Sequence, residues 1–227
     1  MSGYSVVIPA FNAAATLAAA LESVLAQRPA PLEILVIDDG STDDTGNAAR
    51  SFGAPVRVIR QDNAGPGSAT TRGFSEAKAP LIATIDADDL WLPGKAALQL
   101  GRLAAEPGLA AVFGKYREFK EGGEPRAEVY DGWLRSCMTV RTDIARAVGP
   151  VIDPPGFSGD MVDWLARMRE AGHRQEMLAE VVTLRRIRPG SLSYGRSHAA
   201  EAGYLFVVRE AMKRRKAREA AEKSRRI

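Results

Sequence analysis

The chain has 227 residues, of which 45% are hydrophobic and 26% are charged, and its formal net charge is +3. This length supports one substantial core, or a core with a small additional lobe. The single cysteine, Cys137, excludes an internal disulfide and a multi-cysteine zinc site. No apolar run reaches the ~20 residues that span a bilayer, and the N-terminus lacks a basic region followed by an apolar one. We therefore expect a cytoplasmic protein.

Strand and helix patterns alternate through the first half of the sequence. Apolar strand patterns occur at residues 4–9, 32–37, 56–59 and 81–85. Helical patterns separate these strands. They cover residues 14–27, a segment from a cap at Ser41 or Thr42 to about residue 52, and residues 66–78. This order predicts an α/β fold with a mostly parallel sheet and helices on both faces. Ligands of such sheets bind beyond the carboxyl ends of the strands.

The pattern changes after a helix predicted for residues 93–105. Short strands are predicted at residues 110–113, 116–119, 127–130, 136–140 and 181–187. Helices are predicted at residues 142–148, from about 160 to 171, and from about 197 onward. These elements predict a smaller α+β lobe that shares a core with the first half, followed by a C-terminal helix.

Three carboxylates follow the apolar run at residues 81–85. Asp86, Asp88 and Asp89 would repel each other, and each is costly to remove from water. A divalent cation resolves this conflict, and oxygen ligands suit Mg²⁺ or Mn²⁺. Asp86 and Asp88 point the same way on an extended segment and can face one ion. The alternative is a helix N-cap at Asp89, which explains only one of the three acids.

The other strand ends carry residues suited to a nucleotide. Asp38 and Asp39 can accept hydrogen bonds from a base or from ribose hydroxyls. The Gly-rich stretch at residues 63–69 permits close backbone approach and leads to Arg72, a candidate diphosphate partner, although it can also be a plain turn. The sequence has no G-x-G-x-x-G after its first strand and no P-loop, which disfavours a nicotinamide enzyme and an ATPase.

Four motifs together resemble family-2 glycosyltransferases of the GT-A fold. In order, they are SVVIPAFN at residues 5–12, EILVIDDGSTDDT at 33–45, NAGPG at 63–67 and DADD at 86–89. Their order and spacing match the family over residues 4–115. The second half is similar more loosely, at residues 138–149, at 159–167 and at 186–193.

The resemblance implies an inverting, metal-dependent glycosyltransferase. It would move a sugar from a nucleoside diphosphate sugar, with uridine diphosphate (UDP) as the expected carrier, to a hydroxyl group of a glycan or lipid-linked acceptor. Cell-surface polysaccharide or glycoconjugate synthesis is the implied setting, and Mn²⁺ or Mg²⁺ the implied cofactor. Residues 1–115 would bind the nucleotide sugar, residues 116–196 would face the acceptor, and residues 197–227 would form a basic helix.

The resemblance also assigns roles to individual residues. Asp160 would be the general base, and Asp88 with Asp86 would ligate the cation. The donor-binding residues would be Pro9, Ala10, Asn12, Asp38, Asp39, Arg72, Asp86 and Ala87.

Several positions in the second half keep more than one interpretation. Gly159 stands where the family has Glu, which weakens inference about the acceptor. Asp160 could merely cap a helix, and Asp163 is the second candidate base. Trp164 suits either core packing or sugar stacking. A further group of cations could meet a diphosphate or an anionic acceptor, or form a solvated strand face: Arg185, Arg186 and Arg188.

Basic residues concentrate near the C-terminus. Residues 209–226 hold nine basic and three acidic side chains, hence a net charge of +6, while the whole chain carries +3. Such a segment can hold a protein near anionic lipid at the inner membrane face, or can be a solvated, frayed helix end. It contains no aromatic residue that could stack on bases, so we expect no nucleic-acid partner.

Two rival functions come from other classes. A sugar-nucleotide nucleotidyltransferase shares the layered fold, but it would have a Gly-rich, basic phosphate loop after the first strand, where this chain has PAFN. A non-catalytic nucleotide- or glycan-binding module would keep Asp38 and Asp39 but would have no use for Asp160.

Overall fold

The computed structural model describes residues 3–157, 159–188 and 198–224. The strands of this part are β1 (Tyr4–Ala10), β2 (Glu33–Asp39), β3 (Val56–Gln61), β4 (Leu81–Thr84), β5 (Leu90–Trp91), β6 (Leu109–Phe119), β7 (Tyr130–Asp131), β8 (Met138–Arg141) and β9 (Arg174–Arg186). Its α-helices are α1 (Leu17–Leu25), α2 (Thr45–Arg50), α3 (Pro66–Glu76), α4 (Lys95–Ala105), α5 (Thr142–Val148), α6 (Asp160–Glu170) and α7 (His198–Ser224). Short 3-10 helices occupy Arg135–Cys137 and Pro155–Phe157.

The strands form one sheet in the order β3-β2-β1-β4-β8-β6-β9-β5, with β7 paired to β6. Strands β3, β2, β1 and β4 are all parallel, as the alternating pattern predicts. Strand β8 is antiparallel to both β4 and β6, so it joins the two halves of the chain within one sheet. The predicted α/β fold is confirmed.

Strand β1 packs against a core on each face of the sheet because its alternate residues point to opposite sides. Val6 and Ile8 belong to one buried cluster, which also takes in α1. Val7 belongs to a second cluster, which also takes in α3 and α6. Helices therefore cover both faces of the sheet. The ends of the strands are left accessible to solvent.

Strand β6 is continuous, although two short strands are predicted for its residues. The prediction ends one strand before Gly114 and expects a turn there. In the structure, this glycine instead lets β9 approach β6 closely. A Cβ at Gly114 would lie 2.6 Å from both γ-methyl groups of Val182 on β9. The register between β6 and β9 also shifts between Phe113 and Lys115. A bulge at this glycine lets both strands continue.

Three further details differ from the predicted elements. The strand predicted at residues 127–130 is reduced to the two residues of β7, which pair with Lys115 and Tyr116. The unpredicted β5 pairs with β9 directly after the acidic loop. Helix α4 begins two residues later than predicted, after Gly94 with a φ of 88°. Residues 189–193 of the predicted closing segment lie outside the described residues.

Helix α3 lies very close to β1 at Gly73. A Cβ at this position would be 2.2 Å from Cγ1 of Val7, which requires the helix or strand to shift. We expect Gly73→Ala to lower the free energy of unfolding by about 1–3 kcal/mol. Gly101 in α4 is the matched control, since a Cβ there meets no atom within 4 Å. Gly101→Ala should raise stability by about 0.5–1 kcal/mol. Urea unfolding measures both, and a neutral Gly73→Ala would contradict the close contact.

Candidate active site

A cleft of about 440 Å³ opens at the carboxyl ends of the parallel strands. Segments from both halves of the chain meet there, as the topology predicts for a sheet of this kind. The residues that line it include Pro9, Ala10, Asp39, Asn63, Asp86, Ala87, Asp88, Arg135, Phe157 and Arg188.

Asp86 and Asp88 present their carboxylates to this cleft. Burial, and then the neighbouring charge of Asp86, raises the pKa of Asp88 above its ordinary value. The nearest cation is Arg188, whose Nε lies 3.5 Å from Oδ2 of Asp88. A largely buried acid beside a second acid is costly to keep ionised, so a further positive charge near Asp88 would be favourable.

Asp89 has a different, structural task. Its carboxylate is buried and accepts hydrogen bonds from Oγ of Ser136 at 2.5 Å and from the amide of Arg186 at 3.0 Å. Burial, with the charges of Asp86 and Asp88, raises the pKa of Asp89 well above its ordinary range. Because α4 begins only at Lys95, Asp89 does not cap it, and the N-cap alternative is wrong.

The donor atoms of the acidic loop fit a magnesium or manganese ion that is only partly held by protein. Across residues 3–157, 159–188 and 198–224, no three His, Cys, Asp or Glu side chains lie close enough to hold a metal ion. Mg²⁺ in phosphate-transfer sites is commonly bound through one or two carboxylates, with substrate phosphates and water completing the shell. Asp86 and Asp88 match that incomplete oxygen set.

Arg135 joins the acidic loop to the start of α6. Its Nη1 donates to Oδ1 of Asp86 at 2.7 Å, and its Nη2 donates to Oδ2 of Asp160. Burial alone would lower the pKa of Arg135, but Asp86 and Asp160 outweigh it and raise that pKa above its ordinary value. Arg135 is thus permanently charged between one acid of the acidic loop and one acid of α6.

Sequence reasoning missed Arg135. The residue lies 49 positions from Asp86 and 25 from Asp160, and it precedes a strand without any recognisable motif. Nε of Arg135 has no hydrogen-bond partner among the described residues, although it is buried. The one signal in the sequence was the acidic excess of the predicted site, which a buried arginine can balance as well as a metal ion can.

Asp160 is the first residue of α6, so it is not the N-cap. That position belongs to Gly159, whose φ of 96° favours glycine. The rival base, Asp163, is buried and ion-paired with Arg167 at 2.9 Å and Arg214 at 2.8 Å. Asp160 does not itself line the cleft, but its ion pair with the cleft residue Arg135 makes it the acid of this helix that is linked to the cleft.

Asp39 organises the Gly-rich loop. Its Oδ1 accepts from Ala64 N at 3.0 Å and from Nε2 of Gln61 at 2.8 Å, and its Oδ2 accepts from Gly65 N at 2.8 Å. The loop therefore wraps around this carboxylate, while Asn63 and Asp39 both line the cleft. Asp39 keeps limited capacity to accept a further hydrogen bond, on Oδ2.

Three of the predicted donor-binding residues are not brought to the cleft lining. Asp38 is fully buried and accepts from Ser41 N at 2.9 Å and from Arg60 at 2.7 Å, because consecutive strand residues face opposite ways. Oδ1 of Asn12 instead accepts from the amide of Thr42 at 2.8 Å and so ties two loops together.

The third of these residues is Arg72. It is six residues along α3 from Pro66, which is about 9 Å from the end of the helix that faces the cleft. There it is exposed and ion-paired with Glu76 at 2.9 Å. The three arginines of the predicted cation group, Arg185, Arg186 and Arg188, line the cleft instead.

Asp153 is a second residue that sequence reasoning missed. Its carboxylate accepts hydrogen bonds from Gly67 N at 2.8 Å and Ser68 N at 3.0 Å, at the beginning of α3. It therefore occupies two backbone donors that α3 cannot satisfy itself. This contact ties the second half of the chain to the rim of the cleft. Its signal, a lone acid between prolines, is too common to interpret.

Trp164 belongs to the core. Its side chain is fully buried, lies 5.6 Å from the ring of Phe74, and donates from Nε1 to the carbonyl of Gly149 at 3.0 Å. A ring with both faces covered cannot stack on a sugar, so the core-packing interpretation holds.

A buried lysine supports the segment that carries Arg135. Nζ of Lys95 donates to Oε1 of Gln99 at 2.6 Å, and Nε2 of Gln99 donates to the carbonyl of Cys137 at 2.7 Å. Burial lowers the pKa of Lys95 to about 7. Below that pH the folded protein must hold a buried charge, and the unfolded chain binds the proton up to about pH 10.

Stability should therefore rise with pH between about 7 and 8.5, by up to about 1.4 kcal/mol per pH unit. At higher pH the buried Cys137 thiol opposes this rise, because burial raises its pKa to about 12 and the unfolded chain loses that proton first. We expect Lys95→Met to remove this rise, as measured by urea unfolding across the range. Lys115, a partly exposed lysine, is the control, and Lys115→Met should leave the rise unchanged. An unchanged pH profile in Lys95→Met would contradict the assignment.

Comparison with known proteins identifies the family. The sequence model of Glycosyl transferase family 2 matches residues 5–170. The chain belongs to this family. The succinoglycan biosynthesis protein ExoU of Rhizobium meliloti is 40% identical over 107 residues, which are 45% of this chain and 30% of that protein. This chain therefore spans about a third of that relative.

A second relative matches over a longer stretch. The Escherichia coli protein named UDP-Glc:alpha-D-GlcNAc-diphosphoundecaprenol beta-1,3-glucosyltransferase WfgD is 26% identical over 178 residues, 73% of this chain and 70% of the relative.

Solved structures support the fold. TarS 1-349 of S. aureus in complex with UDP-GlcNAc has a TM-score of 0.69 and 18% identity, with 86% of this chain and 62% of that chain covered. The mannosyltransferase PcManGT of Pyrobaculum calidifontis, in complex with GDP-Man and Mn²⁺, has a TM-score of 0.68 and 17% identity, with 84% and 59% covered. These matches define a GT-A-like fold.

Proposed function

We propose that this protein is an inverting glycosyltransferase that uses a divalent cation and a nucleoside diphosphate sugar. The observation that carries the proposal is the Arg135 bridge, which ion-pairs Asp86 of the acidic loop and Asp160 of α6 through one guanidinium group at the cleft. Inverting transfer needs a carboxylate near the acceptor hydroxyl and positive charge near the leaving diphosphate, on opposite sides of the sugar.

In the proposed reaction, Asp160 takes the proton of the acceptor hydroxyl as its oxygen bonds to the anomeric carbon. The bond between that carbon and the diphosphate oxygen breaks, and the diphosphate leaves with the electron pair. A cation bound by Asp88 and Asp86 would neutralise the developing charge. Arg188 lies beside Asp88 and would contact the same diphosphate. Arg135 orients Oδ2 of Asp160 and leaves Oδ1 for the acceptor.

We propose UDP as the carrier and a glycan or lipid-linked acceptor. WfgD is named for a UDP-glucose donor and a diphosphoundecaprenol-linked acceptor, and TarS was solved with UDP-GlcNAc. PcManGT was solved with GDP-Man, so the fold alone does not select uridine. ExoU is named for succinoglycan biosynthesis, which supports a role in polysaccharide synthesis.

We also propose that the work is divided along the chain as the sequence predicts. Residues 1–115 supply Pro9, Ala10, Asp39 and the acidic loop to the donor side. Residues 116–196 supply Asp160 and Arg135 to the acceptor side.

None of the helices in the described part of the chain has the length and apolar composition needed to cross a membrane.

The first experiment measures donor binding. Calorimetric titration with UDP and with guanosine diphosphate, each with and without Mn²⁺, should give tighter, Mn²⁺-dependent binding of UDP. Asp88→Asn should weaken binding in Mn²⁺ by at least about tenfold, because a cation ligand is lost. Asp62→Asn, at an exposed acid in the loop after β3, is the control. Equal binding of Asp88→Asn and the unmodified protein would refute the cation site.

Product analysis separates the rival classes. A glycosyltransferase releases UDP from the UDP sugar, with or without an acceptor. Pyrophosphate released from a nucleoside triphosphate and a sugar phosphate would identify a nucleotidyltransferase instead. Donor binding without hydrolysis or transfer would identify a binding module.

A further inference from the structure

The C-terminal helix α7 is attached to the body of the protein along one face. Val207 is buried there, and Arg214 pairs with Asp163 at 2.8 Å and Glu170 at 2.9 Å on α6. Arg218 lies 4.0 Å from the same Glu170. These contacts fix the rotation of α7 about its axis. They therefore also determine which residues face outward.

The outward face carries an apolar stripe. Leu205, Val208 and Met212 are 58%, 55% and 55% exposed. Their spacing of three and four residues places them in one row along the helix. Single exposed apolar residues are ordinary, but three in a row opposite an anchored face form a continuous surface. We call these three residues the apolar row.

Cations border the apolar row on the same side of the helix. Lys213 and Arg215 make pairs within α7, with Glu210 at 2.7 Å and Glu219 at 2.9 Å. Arg209 and Lys216 are exposed, and neither forms an ion pair with any acid whose side chain the structure describes. Their charges remain available to an external partner.

We propose that this face of α7 docks onto an anionic lipid surface. An interfacial helix inserts apolar side chains at the headgroup boundary while lysine and arginine beside them meet anionic headgroups. The apolar row and its two free cations supply both halves of that interaction. A second copy of the chain is a poorer occupant, because a two-fold contact would bring like charges together.

The position of α7 gives this docking a direction. The helix packs against α6 and against the 3-10 helix Pro155–Phe157, whose Phe157 lines the cleft. A lipid surface on the outer side of α7 would therefore lie on the acceptor side of the protein. The docking itself depends only on α7 and holds whether or not the proposed transferase reaction is correct.

Vesicle flotation with the full chain tests the proposal. Phosphatidylcholine vesicles with and without phosphatidylglycerol are the probes, at low and high salt. The unmodified protein should float with phosphatidylglycerol vesicles, and high salt should weaken this binding. Leu205→Ser with Met212→Ser, and separately Arg209→Glu with Lys216→Glu, should each weaken the binding by about tenfold or more.

The matched control variants make the same kinds of substitution at exposed residues outside α7. Leu98→Ser removes an exposed leucine on α4, and Lys78→Glu with Lys120→Glu makes the same change of net charge at exposed sites. Both should bind as the unmodified protein does. The proposal fails if the protein ignores both vesicle types, or if the controls lose binding equally. It also fails if light scattering reveals a dimer that the Leu205→Ser and Met212→Ser changes dissociate.

Discussion

Replacing Asp160 with Asn should lower the turnover of sugar transfer by about 100- to 10,000-fold, the usual contribution of a positioned general base. The amide keeps the size of the carboxylate and can still accept from Arg135, but it cannot take the acceptor proton. Affinity for UDP in the presence of Mn²⁺ should stay unchanged, because Asp88 and Arg188 are intact. The measurements are initial rates of UDP release and calorimetric titration.

Asp143→Asn is the matched control. Asp143 also lies in the first turn of a helix in the second half of the chain, but it is exposed and has no contact with the cleft. Its replacement should leave turnover unchanged. If Asp160→Asn retained most of its activity, another group would have to be the base.

Arg135→Met should have the largest effect on stability. Removing one partner of a buried ion pair leaves its counter-charges unpaired, which costs about 3–5 kcal/mol. Here two carboxylates, Asp86 and Asp160, lose the same cation. Urea unfolding measures the loss. Arg102→Met, which breaks a partly exposed pair with Glu176, is the control and should cost about 1 kcal/mol or less.

A double-mutant cycle separates the bridge from simple packing. Arg135→Met combined with Asp160→Asn should lose less stability than the two single changes predict, because the amide does not need the cation. Strict additivity would indicate that Arg135 stabilises the protein by packing alone. Since Arg135 orients the proposed base, Arg135→Met should also lower turnover.

Part of the donor side of the site was predictable because its residues follow local rules. Parallel strands must end on one edge, so Pro9 and Asp86 could be brought together without knowledge of distant contacts. Which of the two adjacent acids on β2 would face the cleft could not be predicted. Asp38 and Asp39 point to opposite faces of β2, and the sequence alone does not show which face turns toward the cleft.

The acceptor side was less predictable because its contacts are long-range. Arg135 reaches Asp86 only because β8 pairs with β4, which brings the preceding 3-10 helix next to the acidic loop. In the sequence, Gly114 looks like the end of a strand, whereas in the structure it allows a β-bulge within β6. Asp153 caps a helix 86 residues away from it, which no local pattern can reveal.

The Asp153 contact limits how this chain can be recombined with its relatives. A chimera joined near residue 115 would take α3 from one parent and its cap from the other. Unless the incoming segment also places an acceptor group at Gly67 and Ser68, two amides at the cleft rim lose their partner. A chimera that exchanges acceptor specificity should therefore carry residue 153 and the Gly67–Ser68 segment that it caps from the same parent.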